Sequence, residues 1–152
     1  MGSEDLTKPM LSNTQRGKQF QVLAHRALSR FLAIEFDIEV ALPIGNPPKL
    51  HPFDLASRDR RYVGEAKAFT WTVTGNVPSA KITTLKEAAL YLQALPSGTK
   101  GFIVMKESRH PRRGETLAGY FVRLHEHLLG DVAIFQLAED GSTIETIRRG
   151  SF

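Results

Sequence analysis

From Thr14 onward, Phe20, Leu23, Ala24, Ala27, Leu28, Phe31 and Leu32 recur at steps of three and four, while Lys18, Gln19, His25, Arg26, Ser29 and Arg30 fill the other face. That period predicts an amphipathic helix. Phe36 to Ile44 alternates apolar and polar positions, carries Ile and Val, and stops at the turn-rich Gly45-Asn-Pro-Pro, as a strand would. Two further β-compatible runs, Leu50 to Ser57 and Arg61 to Trp71, flank Arg58-Asp59-Arg60 and predict a hairpin. Gly75-Asn76 and Pro78 mark a loop before Ile82, Leu85, Ala89 and Leu92 restore helical spacing. Thr84 and Glu87 match a capping box for that helix, and Pro96 with Gly98 closes it. Gly101 to Lys106 is a continuous apolar run, the mark of an interior strand covered on both faces. After a basic loop, Arg109 to Gly114, the spacing of Leu117, Phe121, His125 and Leu128 predicts a third helix ending at Gly130. Val132 to Leu137 and Thr143 to Ile147 read as closing strands around the turn Glu139-Asp140-Gly141.

This order of elements implies a three-layer α/β/α domain with a central mixed sheet over residues 14–152, preceded by a flexible arm, residues 1–13, whose start has polar residues and proline without a period. A length of 152 residues suits one such domain. No stretch approaches the roughly 20 apolar residues that span a bilayer, which excludes a membrane protein of the helical kind. The first residues lack the basic and apolar regions of a secretion signal, so a cytoplasmic location is expected. Cysteine is absent, which removes thiol nucleophiles, thiolate zinc sites and iron-sulfur clusters and leaves hard-metal, oxygen-based chemistry. Twenty Lys and Arg against sixteen Asp and Glu give a net charge of +4, a mild lean toward a polyanionic partner. The basic residues gather at Arg58, Arg60 and Arg61, at Lys106 to Arg113, and at Arg148 with Arg149, any of which would also serve as a solvated surface.

The chemistry concentrates in Pro52-Phe53-Asp54 and Glu65-Ala66-Lys67. A hairpin whose loop is Asp59-Arg60, or the wider Arg58 to Arg61, sets Asp54 directly opposite Glu65, with Cβ atoms about 4.5–5.5 Å apart. Lys67, two residues on, shares the face of both carboxylates because side chains alternate, so three ionisable groups converge. Gly64, Ala66 and Ala68 on the opposite face are small enough to let a helix pack closely onto the sheet. Opposed carboxylates repel, so the arrangement calls for a cation or an unusual protonation state. Lys67 supplies one charge; a divalent cation with oxygen ligands and open water positions, Mg2+ or Mn2+, would supply the rest. The same three residues could instead be an ordinary salt-bridged strand surface.

The D…ExK pattern on adjacent strands, after an amphipathic helix and a strand and before a helix and an apolar strand, resembles the PD-(D/E)xK nuclease superfamily, the restriction-endonuclease-like fold, over Arg16 to Lys106. The resemblance implies a Mg-dependent endonuclease acting on DNA, in which Asp54 and Glu65 hold the metal, the backbone carbonyl of Ala66 adds a ligand and Lys67 serves catalysis. In that superfamily the first helix often contributes a Glu; the corresponding stretch here offers Gln19 or Gln21. Some members carry Gln and Tyr one helical turn apart after the (D/E)xK strand, and Glu87 and Tyr91 stand at that spacing. The alternatives are a catalytically inactive nucleic-acid- or partner-binding module on the same fold and a magnesium-dependent phosphodiesterase for a small substrate.

For contact with nucleic acid, the candidates are Arg58, Arg60, Arg61, Lys81, Arg109, Arg112 and Arg113, together with Trp71, which would either stack on a base or finish the sheet core. A homodimer would suit cleavage of both strands, although no interface stripe is legible. His125 and His127, two apart on a helix, point away from one another and make a poor zinc pair. No nucleophile elbow, P-loop or dinucleotide fingerprint is present.

Overall fold

A computed structural model describes residues 11–152. Most of the expected arm, residues 1–13, lies outside that range; of its last residues Ser12 is the N-cap and Asn13 the first residue of the first helix, α1 (Asn13–Leu32). Ser12 caps α1 through Gln15, whose side chain returns a bond to the Ser12 N–H, so Ser12-Asn-Thr-Gln15 is a capping box that fixes where the chain enters the fold. Then follow β1 (Phe36–Ile44), β2 (Lys49–Ser57), β3 (Tyr62–Lys67), α2 (Ser79–Gln93), β4 (Lys100–Lys106), α3 (Leu117–His125), β5 (Ala133–Leu137) and β6 (Ile144–Arg148).

The strands form one six-stranded sheet in sequential order. Short connections make β1–β2, β2–β3 and β5–β6 antiparallel, whereas α2 and α3 carry the chain back so that β3, β4 and β5 run parallel. Two successive crossovers of the same hand in the same direction place their helices on one face, which leaves the other for α1. Accordingly one apolar cluster unites Ile82, Leu85 and Leu92 of α2 with Leu117 and Phe121 of α3, and a second joins Phe20, Ala24 and Leu28 of α1 to the other side of the sheet. The result is a three-layer α/β/α fold, as the element order implied. Phe102, Ile103, Val104 and Met105 are fully buried, the two-sided coverage expected of the run in β4.

Three local expectations are corrected. The capping box Thr84 to Glu87 does not form: the N-cap of α2 is Pro78, six residues before Thr84, with no side-chain cap bond, and the Thr84 hydroxyl donates to the Ala80 carbonyl at 3.1 Å within the helix. The strand expected to reach Trp71 stops at Lys67, where its partner β2 has already diverged. Gly64 makes room for the Phe102 ring of the neighbouring strand rather than for a helix, since a Cβ there would lie inside that ring; Ala66 and Ala68 do pack with the apolar cluster beneath α1.

Candidate active site

The hairpin register is the one the turn predicts. Leu55 pairs with Gly64 and Ala56 with Val63, which puts Asp54 opposite Glu65 one step farther along. At that step the ladder ends. Phe53 joins the cluster beneath α2 and α3 while Leu55 joins the one beneath α1, so the alternation of sides reverses at Asp54. Across β1 the corresponding residue is Glu39, whose φ of 56° is left-handed, a conformation costing a non-glycine residue about 1–2 kcal/mol. Asp54 therefore turns its carboxylate into the notch where β2 leaves β3. Its Oδ2 accepts the Ala66 N–H at 2.8 Å, and its Oδ1 accepts from Gln21 Nε2 of α1 at 3.1 Å. A side chain thus takes the place of the backbone carbonyl that a continued β2 would have offered to β3. Because N–H and C=O of one strand residue point to the same side, the Ala66 carbonyl opens toward that notch as well.

Glu65 is 5% exposed. Its Oε2 lies 3.4 Å from the Asp54 backbone N–H, and its Oε1 lies 3.6 Å from His51 Nε2. The His51 ring packs on Phe53 and on Tyr91 of α2, at centroid distances of 4.8 and 4.1 Å. Burial, then the neighbouring Asp54, pushes the Glu65 carboxyl up to about 9, with Lys67 acting in the opposite direction. His51 is held below its ordinary value, first by burial and then by Lys67. Two carboxyls have been brought together in a place too dry for both to ionise unaided. Lys18 of α1 pairs with Glu39 at 2.6 Å, and that partner raises it.

This notch opens onto a cleft of about 810 Å3 at the carboxyl ends of β3, β4 and β5, where open parallel sheets usually bind ligands. Asp54, Lys67, Lys18, Lys81 and Lys106 line it together with Phe69, over whose ring Lys81 Nζ stands at 5.1 Å. The donors in the notch are the kind a hard divalent cation takes. Among the described residues, no three or more His, Asp and Glu side chains gather as a ligand set. The protein's share of such a coordination shell would be Asp54, Glu65 and the Ala66 carbonyl, with the remaining positions left to water or phosphate oxygens.

The other expected contacts divide. Arg58, Arg60 and Arg61 sit on the β2–β3 turn, at the opposite end of β3 from Lys67, and Arg58 and Arg60 are occupied with Glu35 and Asp37. Arg109 pairs with Glu107 at 3.1 Å. Arg112 donates to the Thr74 carbonyl, and the Arg113 guanidinium lies 5.5 Å from the Trp71 ring centre, so these two stand at the cleft end of the sheet. Trp71 is only 5% exposed, its indole N–H donates to the Glu115 carbonyl at 3.1 Å, and its ring packs on His110 and Tyr120; of its two readings, the structure gives it the core one. Of the two glutamines offered by the first helix, Gln21 reaches the site. Sequence reasoning missed Lys18, Glu39 and His51. His51 had a signal, since alternation puts it on the side of Phe53; Glu39 had none, because a left-handed residue inside a strand leaves no trace in the polar pattern. No protein-family model, curated protein or solved structure matches this chain.

Proposed function

We propose that the protein is a metal-dependent phosphodiester hydrolase acting on DNA, with Asp54, Glu65 and the Ala66 carbonyl as ligands for Mg2+ or Mn2+ and Lys67 as the catalytic cation. The observation that carries this reading is the pair Asp54 and Glu65 at the parting of β2 and β3: a carboxyl pushed toward its neutral form by burial and then by a second carboxyl, beside a cleft lined with lysines. A bound divalent cation would supply Lewis acidity toward a phosphate oxygen and a readily ionised water.

The residues of the chain do the rest. The Ala66 N–H and Gln21 hold Asp54 in one orientation, which lowers the entropy lost on engaging a ligand. Glu65 would have to give up its proton to serve as a ligand, and a cation would offset the burial and the Asp54 repulsion that keep it neutral. Lys67 lies close enough to act electrostatically on Glu65, and from the cleft wall it can donate to a phosphate oxygen as charge builds there. Lys81 and Lys106 would offer the cleft positive charge for a polyanion, whereas Lys18 is paired with Glu39 on the same wall.

One observation favours the second reading, a binding module on the same fold without turnover: Gln21, an uncharged amide, already occupies Asp54 Oδ1. Cleavage of a fluorescent duplex in Mg2+ or Mn2+ separates the two. Wild type should nick or degrade it, and Asp54→Asn, Glu65→Gln or excess chelator should abolish this while the circular dichroism spectrum stays unchanged. Full activity of either variant would refute the metal-centred mechanism; binding without cleavage would establish the module.

A further inference from the structure

One apolar side chain on the cleft wall is held as though for use. Val73 is 97% exposed and lines the cleft at the tip of the segment Thr72 to Asn76. A lone exposed valine is ordinary. The loop carrying this one is braced from within and from behind. Within it, the Gly75 N–H donates to the Thr72 carbonyl at 2.9 Å, the Asn76 N–H to Thr72 Oγ1 at 2.7 Å and the Asn76 amide to Thr74 Oγ1 at 3.2 Å.

From behind, the buried His110 accepts the N–H groups of Arg112 and Arg113 at its Nδ1, both at 3.1 Å. Its Nε2 is therefore the donor to the Gly75 carbonyl at 2.8 Å. Arg112 Nη2 adds a bond to the Thr74 carbonyl at 3.2 Å. Gly75 is required there, because its φ is +84° and a Cβ would come within 3.0 Å of both the His110 ring and the Arg112 guanidinium. A β-branched side chain with few rotamers thus stands on a fixed support, so that driving it into a neighbour costs little conformational entropy.

We infer that Val73 is a wedge, inserted between adjacent base pairs of a DNA duplex lying across the cleft. The inference rests on the proposed DNA reading and adds the substrate feature selected: a duplex with a weakly stacked step, since unstacking costs a few kcal/mol and pyrimidine–purine steps and mismatches yield most readily. The lysines of the cleft and the arginines behind the loop contact phosphate and supply affinity. Val73 supplies the discrimination among steps.

The test uses the full chain in Ca2+, with short duplexes carrying 2-aminopurine beside either a central TA step or an A-tract. Binding is read by anisotropy and unstacking by 2-aminopurine fluorescence. Wild type should raise the fluorescence several-fold on the TA duplex and bind it at least about fivefold tighter than the A-tract, the discrimination expected of a deformable step. Val73→Ser should keep its thermal midpoint, since the side chain contacts almost nothing, and should keep affinity for the A-tract duplex within about threefold because phosphate contacts carry that term. It should lose the fluorescence rise and the preference for TA; Val73→Leu should restore both. Equal fluorescence and equal preference in wild type and Val73→Ser would overturn the wedge while leaving the DNA reading intact. No binding to either duplex would overturn both.

Discussion

If Glu65 is kept protonated by burial and by Asp54, the metal-free protein should become more stable when the group is replaced by its neutral counterpart. Its carboxyl sits near 9 in the folded chain and near 4.5 when free. Between those values the unfolded chain releases a proton that the folded chain retains, so stability is fully present below pH 4.5 and is lost progressively as pH rises toward 9. At about 1.4 kcal/mol per pH unit, the loss at pH 7 is on the order of 3 kcal/mol. Glutamine keeps the shape and an oxygen for the Asp54 N–H without titrating. Glu65→Gln should therefore unfold within about 1 kcal/mol of wild type at pH 5 and exceed it by about 3 kcal/mol at pH 7, roughly 6–12 °C in thermal midpoint for a domain of this size. The gap should widen further at pH 8.5. The assay is urea and thermal unfolding with chelator present from pH 5 to 9. A gap that does not change with pH, or a variant less stable than wild type at pH 8, would refute the claim that the carboxyl pair is electrostatically frustrated. A stabilised but inactive Glu65→Gln is the signature of a group retained for chemistry rather than for folding.

Manganese binding at pH 7 should release close to one proton, seen as a calorimetric enthalpy that varies with the ionisation enthalpy of the buffer, and Glu65→Gln should release none. Lys67→Ala should bind DNA as wild type does but cleave it about 10²–10⁴-fold more slowly in single turnover; cleavage at the wild-type rate would make Lys67 a bystander. Lys81→Ala with Lys106→Ala should reduce the salt slope of DNA binding by about two, whereas the same exchange at Arg58 and Arg60, at the far end of the sheet and paired with acids, should leave it unchanged. Gly64→Ala should destabilise the fold by about 1–3 kcal/mol in urea titration, because the added methyl displaces the Phe102 ring.

Much of this fold was legible because its elements obey their periods. The stripe from Phe20 to Leu32 and the run Gly101 to Lys106 each have a single structural solution, and the short loop 58–61 fixed the register that sets Asp54 against Glu65. What escaped was decided by neighbours distant in sequence. Thr84 and Glu87 match a cap signature, yet the helix starts earlier because nothing in the chain after Pro78 opposes it. Gly64, Ala66 and Ala68 read alike in sequence, yet only Gly64 lies against a ring that leaves no room for a Cβ, and the Phe102 that fills it is distant in the chain. The reversal of the pleat at Asp54, which carries its carboxylate off the sheet face into the notch, depends on the left-handed Glu39 across the ladder, and no local pattern announces it. Likewise the arginines read as alike in sequence, and only the fold separates the paired turn at Arg58 to Arg61 from the loop at the cleft.

The most direct measurement is a crystal structure of the protein with manganese and a DNA duplex, read by anomalous scattering. The expected result is a peak in the notch between β2 and β3, with carboxylate oxygens of Asp54 and Glu65 and the Ala66 carbonyl at about 2.1 Å, a DNA phosphate and waters completing the shell and Lys67 turned toward that phosphate. Manganese bound elsewhere, or a notch in which Glu65 still faces His51 and no metal scatters, would contradict a metal-centred site at Asp54 and Glu65.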